Sequence, residues 1–104
     1  MEIKFFDNAL KKFIENLEPP AIAKVLRTID LLEKFGNNLG MPHSEKVSPR
    51  LFELRIRGQQ EIRILYTFHL NAAILLHGFI KKTDKILKKE LRTSLQKLRA
   101  LDNI

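Results

Sequence analysis

Three arginines fall on two short apolar stretches joined by a turn in residues 55–68, RIRGQQEIRILYTF. In LFELRIR, Phe52, Leu54 and Ile56 alternate with Glu53, Arg55 and Arg57; in EIRILYTFH, Ile62, Ile64, Tyr66 and Phe68 alternate with Glu61, Arg63, Leu65, Thr67 and His69. A period of two marks strands, and Gly58-Gln59-Gln60 makes them a hairpin. With the apolar side packed inward, Arg55, Arg57 and Arg63 emerge together on the other side. Side chains opposite one another on antiparallel strands sit about 5 Å apart, so like charges there repel unless a partner intervenes. Glu53 and Glu61 supply one such partner, giving a ladder of surface ion pairs that stabilise by roughly 0–1 kcal/mol each. A bound anion supplies another, because a planar guanidinium donates in pairs to phosphate oxygens. The third apolar stretch, AAILLHGFI, exits into Lys81 and Lys82 at the same sheet end, which favours the anion. The candidate phosphate site is therefore Arg55, Arg57, Arg63, Lys81 and Lys82, with Arg50 and Lys85 as flanking cations.

His77 is the obvious acid or base by side-chain chemistry. It also alternates in phase with Leu75 and Phe79, which fits a hydrogen-bonded structural histidine, so both roles stay open. Tyr66 shares parity with Ile64 and Phe68 and reads as a core residue whose hydroxyl reaches a polar partner. His43 and His69 read as loop or edge residues. Three scattered histidines, no cysteine and no close acidic pair argue against a metal site.

The elements that must hold these side chains follow from composition and pattern. A chain of 104 residues, 44% hydrophobic and 30% charged, is expected to form a single domain over residues 1–104. The absence of cysteine excludes a disulfide framework and fits a reducing, cytoplasmic setting. Glu2, Lys4 and Asp7 break up any secretory apolar core, and the uncharged run Ile64 to Ile80 is too short and too polar for a membrane span. The formal charge of +7 is uneven: residues 1–49 balance, while residues 81–99 hold eight basic and two acidic groups. Such a field favours a polyanionic partner.

After a short strand at Glu2–Phe6, Asp7 caps a helix over residues 8–17. Pro19-Pro20 opens a second helix that ends at Gly36, and the two form a hairpin. Residues 37–50 read as loop. The segment TDKILKKELRTSLQKLRAL, capped by Thr83 or Asp84, carries Leu87, Leu91, Leu95 and Leu98 on one stripe and basic residues elsewhere. The expected class is α+β, with the helical hairpin packed on a small, mainly antiparallel sheet (a three-strand meander plus the N-terminal strand) and a basic C-terminal helix.

The ordered set LFELRIRG, IRILYTF and ILLHGFIKKTDK resembles the RelE/HigB superfamily of type II toxin–antitoxin toxins, most closely its phage-derived, Gp49-like HigB branch. The likeness covers nearly the whole chain, and residues 51–85 are its specific part. It implies a RelE-like (microbial RNase-like) fold and a ribosome-dependent mRNA endoribonuclease, or mRNA interferase, needing neither metal nor small-molecule cofactor. The implied partners are mRNA on the ribosome and a HigA-like helix-turn-helix antitoxin, with no membrane. In such toxins the ribose 2′-hydroxyl attacks the adjacent phosphate. Carried onto this sequence, Arg55, Arg57, Arg63 and Lys82 become the catalytic set, and Lys81, Lys85 and Arg50 hold RNA phosphates. One departure stands out: no aromatic residue or histidine follows Phe79. A ParE-like gyrase-blocking toxin and a non-catalytic RNA- or antitoxin-binding protein from an inactive cassette are the competing readings.

Overall fold

In a computed structural model describing residues 1–86 and 88–103, the chain runs β1 (Glu2–Phe5), α1 (Asn8–Glu15), α2 (Pro19–Phe35), a 3-10 turn (Gly36–Asn38), β2 (Ser44–Ser48), β3 (Leu51–Ile56), β4 (Ile62–His69), β5 (Ala72–Ile80) and α3 (Lys88–Asp102). The class is α+β. Five strands make one mixed sheet in the order β1-β5-β4-β3-β2, in which β1 pairs parallel to β5 and the other pairs are antiparallel.

The helical hairpin forms where its punctuation stands. Asp7, in extended backbone, accepts a hydrogen bond from the Leu10 N–H and starts α1. Pro19 and Pro20 occupy the first turn of α2, where their missing N–H groups cost nothing, and Gly36 at φ +53° ends it. Both helices bury their apolar stripes, among them Leu10, Ile14, Val25 and Leu32, against Leu54, Ile64, Tyr66 and Leu75 of the sheet. At the β4–β5 turn, Leu70 (φ +48°) and Asn71 (φ +63°) are both left-handed, the geometry of a two-residue hairpin whose twist matches the strands.

Several expectations are corrected. Residues 37–50 are not all loop: Ser44–Ser48 form β2 on the outer edge of β3, anchored by buried Ser44, whose Oγ lies 2.5 Å from the Tyr66 hydroxyl. The sheet therefore has five strands, not four. The second sheet face is not open either, because α3 lies on it and joins Leu98 to Leu51, Leu65, Ile74 and Leu76 in a second core. On α3, Ser94 and Leu98 are the buried residues and Leu95 is exposed, while Leu87 of the expected stripe lies outside the described residues. Neither Thr83 nor Asp84 caps this helix, which begins at Lys88; the Thr83 hydroxyl instead donates to the Lys85 carbonyl in the preceding bend.

A further correction concerns phase. Leu65 pairs with His77 but Tyr66 pairs with Leu75, leaving Leu76 as an extra residue in β5. A one-residue bulge resets the alternation. Leu75 consequently faces the hairpin core, whereas Leu76 and Phe79 face the α3 side. The Leu76 carbonyl accepts a hydrogen bond from Lys97 Nζ at 2.9 Å, and the same ammonium lies 3.0 Å from Asp7 Oδ2. Lys97 thereby ties α3 to the bulge and to the cap of α1.

Candidate functional site

The antiparallel register sets Arg55 directly opposite Arg63 across β3 and β4, with Phe79 of β5 opposite Arg63 on the other side. Two guanidinium groups so placed need a carboxylate between them. Glu53 provides it: its Oε1 lies 3.6 Å from Arg55 Nε and 3.5 Å from Arg63 Nε. Arg63 Nη1 also donates to Glu61 Oε2 at 3.0 Å and to the Ile62 carbonyl at 3.2 Å, and Arg55 Nη1 lies 3.6 Å from Glu45 Oε2. The sheet thus carries an alternating row of Glu45, Arg55, Glu53, Arg63 and Glu61. This row is sunk in the protein, not spread on its surface, with Arg63 only 3% and Glu53 4% exposed. The Nε groups of both arginines are buried and make no hydrogen bond, so charge alone satisfies them.

Arg63 forms part of the wall of a shallow depression shared with Arg57, Glu61, Lys81, Thr83 and Asp84. Three strands meet there, because the end of β3, the start of β4 and the end of β5 are in register at Ile56, Ile62 and Ile80. Arg57 is exposed and makes no ion pair among the described residues. Lys81 is fixed by its N–H, which donates to the Glu61 carbonyl at 2.6 Å. Arg57, Arg63 and Lys81 are therefore brought together, with Arg55 joined to them through Glu53.

Lys82 and Lys85 line the neighbouring depression beside the second half of β5, past its pairing with β1, together with His77, Phe13 and Lys89; Lys81 borders both. His77 stacks on Phe79 at 5.9 Å between ring centres, and its Nε2 is 3.1 Å from Glu90 Oε1 on α3. It is a hydrogen-bonded histidine at the margin of a lysine-rich hollow.

Two candidates stand apart. Arg50 lies at the opposite end of β3, about 23 Å from Arg57 at the rise of an extended strand, where it pairs with Asp102 at 2.6 Å. That hydrogen bond raises the Arg50 pKa and lowers that of Asp102. Tyr66 belongs to the hairpin core, stacked on Phe52 and hydrogen-bonded to Ser44, on the sheet face away from Arg63. Burial raises its pKa and the Ser44 contact partly offsets the rise.

Sequence reasoning named the strand cations and the partners Glu53 and Glu61 but missed Glu45 on β2, and Glu90, Lys89 and Phe13, which helices α3 and α1 bring in. No local pattern marks the helix residues, since their role comes from how each helix is laid on the sheet. No helix among the described residues is long and apolar enough to cross a membrane. No curated protein matches the chain. The model of the family described as phage-derived protein Gp49-like (DUF891) matches residues 12–99, from the second half of α1 through most of α3. The chain accordingly belongs to the Gp49-like family, a family of RelE/HigB-type toxins.

Proposed function

We propose that this chain is the toxin of a toxin–antitoxin pair, has a RelE-like fold, and cuts messenger RNA on the ribosome until a HigA-like helix-turn-helix antitoxin neutralises it in the cytoplasm. The observation that carries the reading is the meeting of Arg57, Arg63 and Lys81, from three strands, at one depression. Family membership supports the toxin role, and the charge of +7 suits a polyanionic substrate.

In this reading the 2′-hydroxyl oxygen attacks the adjacent phosphorus, the bond to the 5′ oxygen breaks and that oxygen takes a proton from water, and a 2′,3′-cyclic phosphate and a 5′-hydroxyl end result. Negative charge grows on the phosphorane oxygens, and cations already aimed there lower the barrier without reorganising. Arg57 and Lys81 meet the phosphate from the exposed side. Arg63 is the oriented member, its guanidinium fixed by Glu53, Glu61 and the Ile62 carbonyl. Arg55 reinforces it through Glu53, and Lys82 and Lys85 hold the strand beyond. Arg50 takes no part, because it lies at the other end of the sheet. Glu61, half-exposed and lining the same depression, is the carboxylate assigned to take the 2′-hydroxyl proton.

A translating extract tests this with wild type, Arg57→Ala and Glu61→Gln. Wild type cuts the message; Arg57→Ala and Glu61→Gln lower cutting by about 10²-fold or more and keep the wild-type circular dichroism. Arg63→Ala is a poorer probe, since it removes one of the two guanidinium partners of buried Glu53. Intact transcripts with wild type refute the nuclease reading, and gyrase inhibited by the wild-type protein would favour the ParE-like one.

A further inference from the structure

The depression that joins Arg57, Arg63 and Lys81 is the middle one of three. Lys81 is shared with the hollow beside β5 that contains Lys82, Lys85 and Lys89. Arg57 is shared with a hollow on the far side, between α2 and the end of β3, lined by Lys24, Arg27, His43 and Arg55. Neighbouring hollows share a cation at each step, Lys81 and then Arg57, so basic side chains follow one another as a cationic path past the ends of β5, β4 and β3 to α2.

The α2 end of this path is invisible in the linear charge count, because residues 1–49 balance. The fold separates what the sequence mixes. Lys24 and Arg27, three apart, share one helix face, and no acidic residue lines that hollow, whereas Glu61 and Asp84 line the middle one and Glu90 the first. Lys24 is also aimed at the site: its Nζ donates to the Arg57 carbonyl at 3.3 Å, and a Cβ on Gly58 would come within 2.8 Å of it. An ammonium has three donors, so that bond leaves two for phosphate oxygens.

We propose that Lys24 and Arg27 form a binding subsite for the phosphates of single-stranded RNA on the β3 side of the reacting phosphate. This rests on the RNA-cleaving reading above and extends it from one phosphodiester to an extended strand. Recognition there is by backbone charge, hence independent of base sequence.

The test is fluorescence anisotropy with a dinucleotide and a single-stranded RNA of about ten nucleotides, titrated at several salt concentrations. Each phosphate neutralised contributes about 0.7 to the salt slope for single strands. The double variant Lys24→Gln/Arg27→Gln is expected to lower the slope for the longer RNA by about 1.4, to weaken its binding about tenfold or more at low salt, and to leave the dinucleotide unchanged. Lys34→Gln, on α2 outside the path, controls for net charge and leaves the slope as in wild type. An unchanged slope in the double variant, or an equal drop in Lys34→Gln, overturns the subsite while the cleavage reading stands. Wild type that binds neither RNA overturns the subsite, while the cleavage reading, which places the message on the ribosome, is decided by the translating extract.

Discussion

Replacing Glu53 with glutamine removes the one carboxylate that sits between Arg55 and Arg63. At an effective dielectric of about 20, a unit charge pair at such a separation attracts by about 5 kcal/mol. Taking the charges out of water costs several kcal/mol per ion, so the intact network gains little net stability. The variant keeps the cost and loses the attraction. Stranding one side of a buried pair costs about 3–5 kcal/mol. Here Arg63 keeps Glu61 and the Ile62 carbonyl, and Arg55 keeps Glu45. The expected loss therefore lies at the lower end, about 3 kcal/mol, or roughly 15 °C in Tm for a chain of this size. Urea unfolding measures it, with the denaturant slope unchanged. Glu45→Gln is the internal comparison: its carboxylate is half-exposed, and its loss is expected to cost less than about 1 kcal/mol. If Glu53→Gln came within about 0.5 kcal/mol of wild type, the arginines would not depend on Glu53 and the row would not be a coupled network.

Leu70, exposed and left-handed at φ +48°, bears a conformational penalty that asparagine largely avoids; Leu70→Asn is expected to raise stability by about 1 kcal/mol, and an unfolding curve that moves the other way refutes that. Gly78→Ala places a methyl 2.7 Å from Leu10 Cδ1 and 2.9 Å from Phe13 ring atoms, so these packed side chains must give way at a cost of about 1–3 kcal/mol, read by thermal melting; a neutral melt means the α1 contact is looser than described. Tyr66 is the chain's one tyrosine, so phenolate absorbance reports a single group. Its folded pKa is raised, so above pH about 10 the unfolded chain sheds a proton the folded chain keeps. Stability falls as pH rises through that range, and Tyr66→Phe removes this part of the decline.

Local signals placed the helical hairpin and the β3–β4 arms well, because each has its own chemistry: Asp7 as cap, two prolines opening α2, Gly36 closing it, and a change of period at Leu51. β2 escaped because SEKVS has no apolar alternation; what fixes it is a hydroxyl pair between Ser44 and Tyr66, distant in sequence. The bulge at Leu76 was equally hidden, since slipping a register by one inside an apolar run leaves the pattern looking the same. At the site, the strand arginines and Lys81 could be read from alternation and topology. The burial of Arg63 could not, because it depends on carboxylates converging from neighbouring positions. The grouping of Lys24 and Arg27 with Arg57 was out of reach for the same reason: it depends on where α2 lies against the end of β3.

The central claim is that the cations at the ends of β3, β4 and β5 hold a phosphodiester while it is cut. Mapping transcript 5′ ends after a brief pulse of expression tests it most directly, with wild type beside Arg57→Ala. New 5′-hydroxyl ends inside translated reading frames, present with wild type and lost with Arg57→Ala, are the predicted result. Growth arrest with transcripts uncut, or the same ends appearing in Arg57→Ala at full abundance, would contradict it.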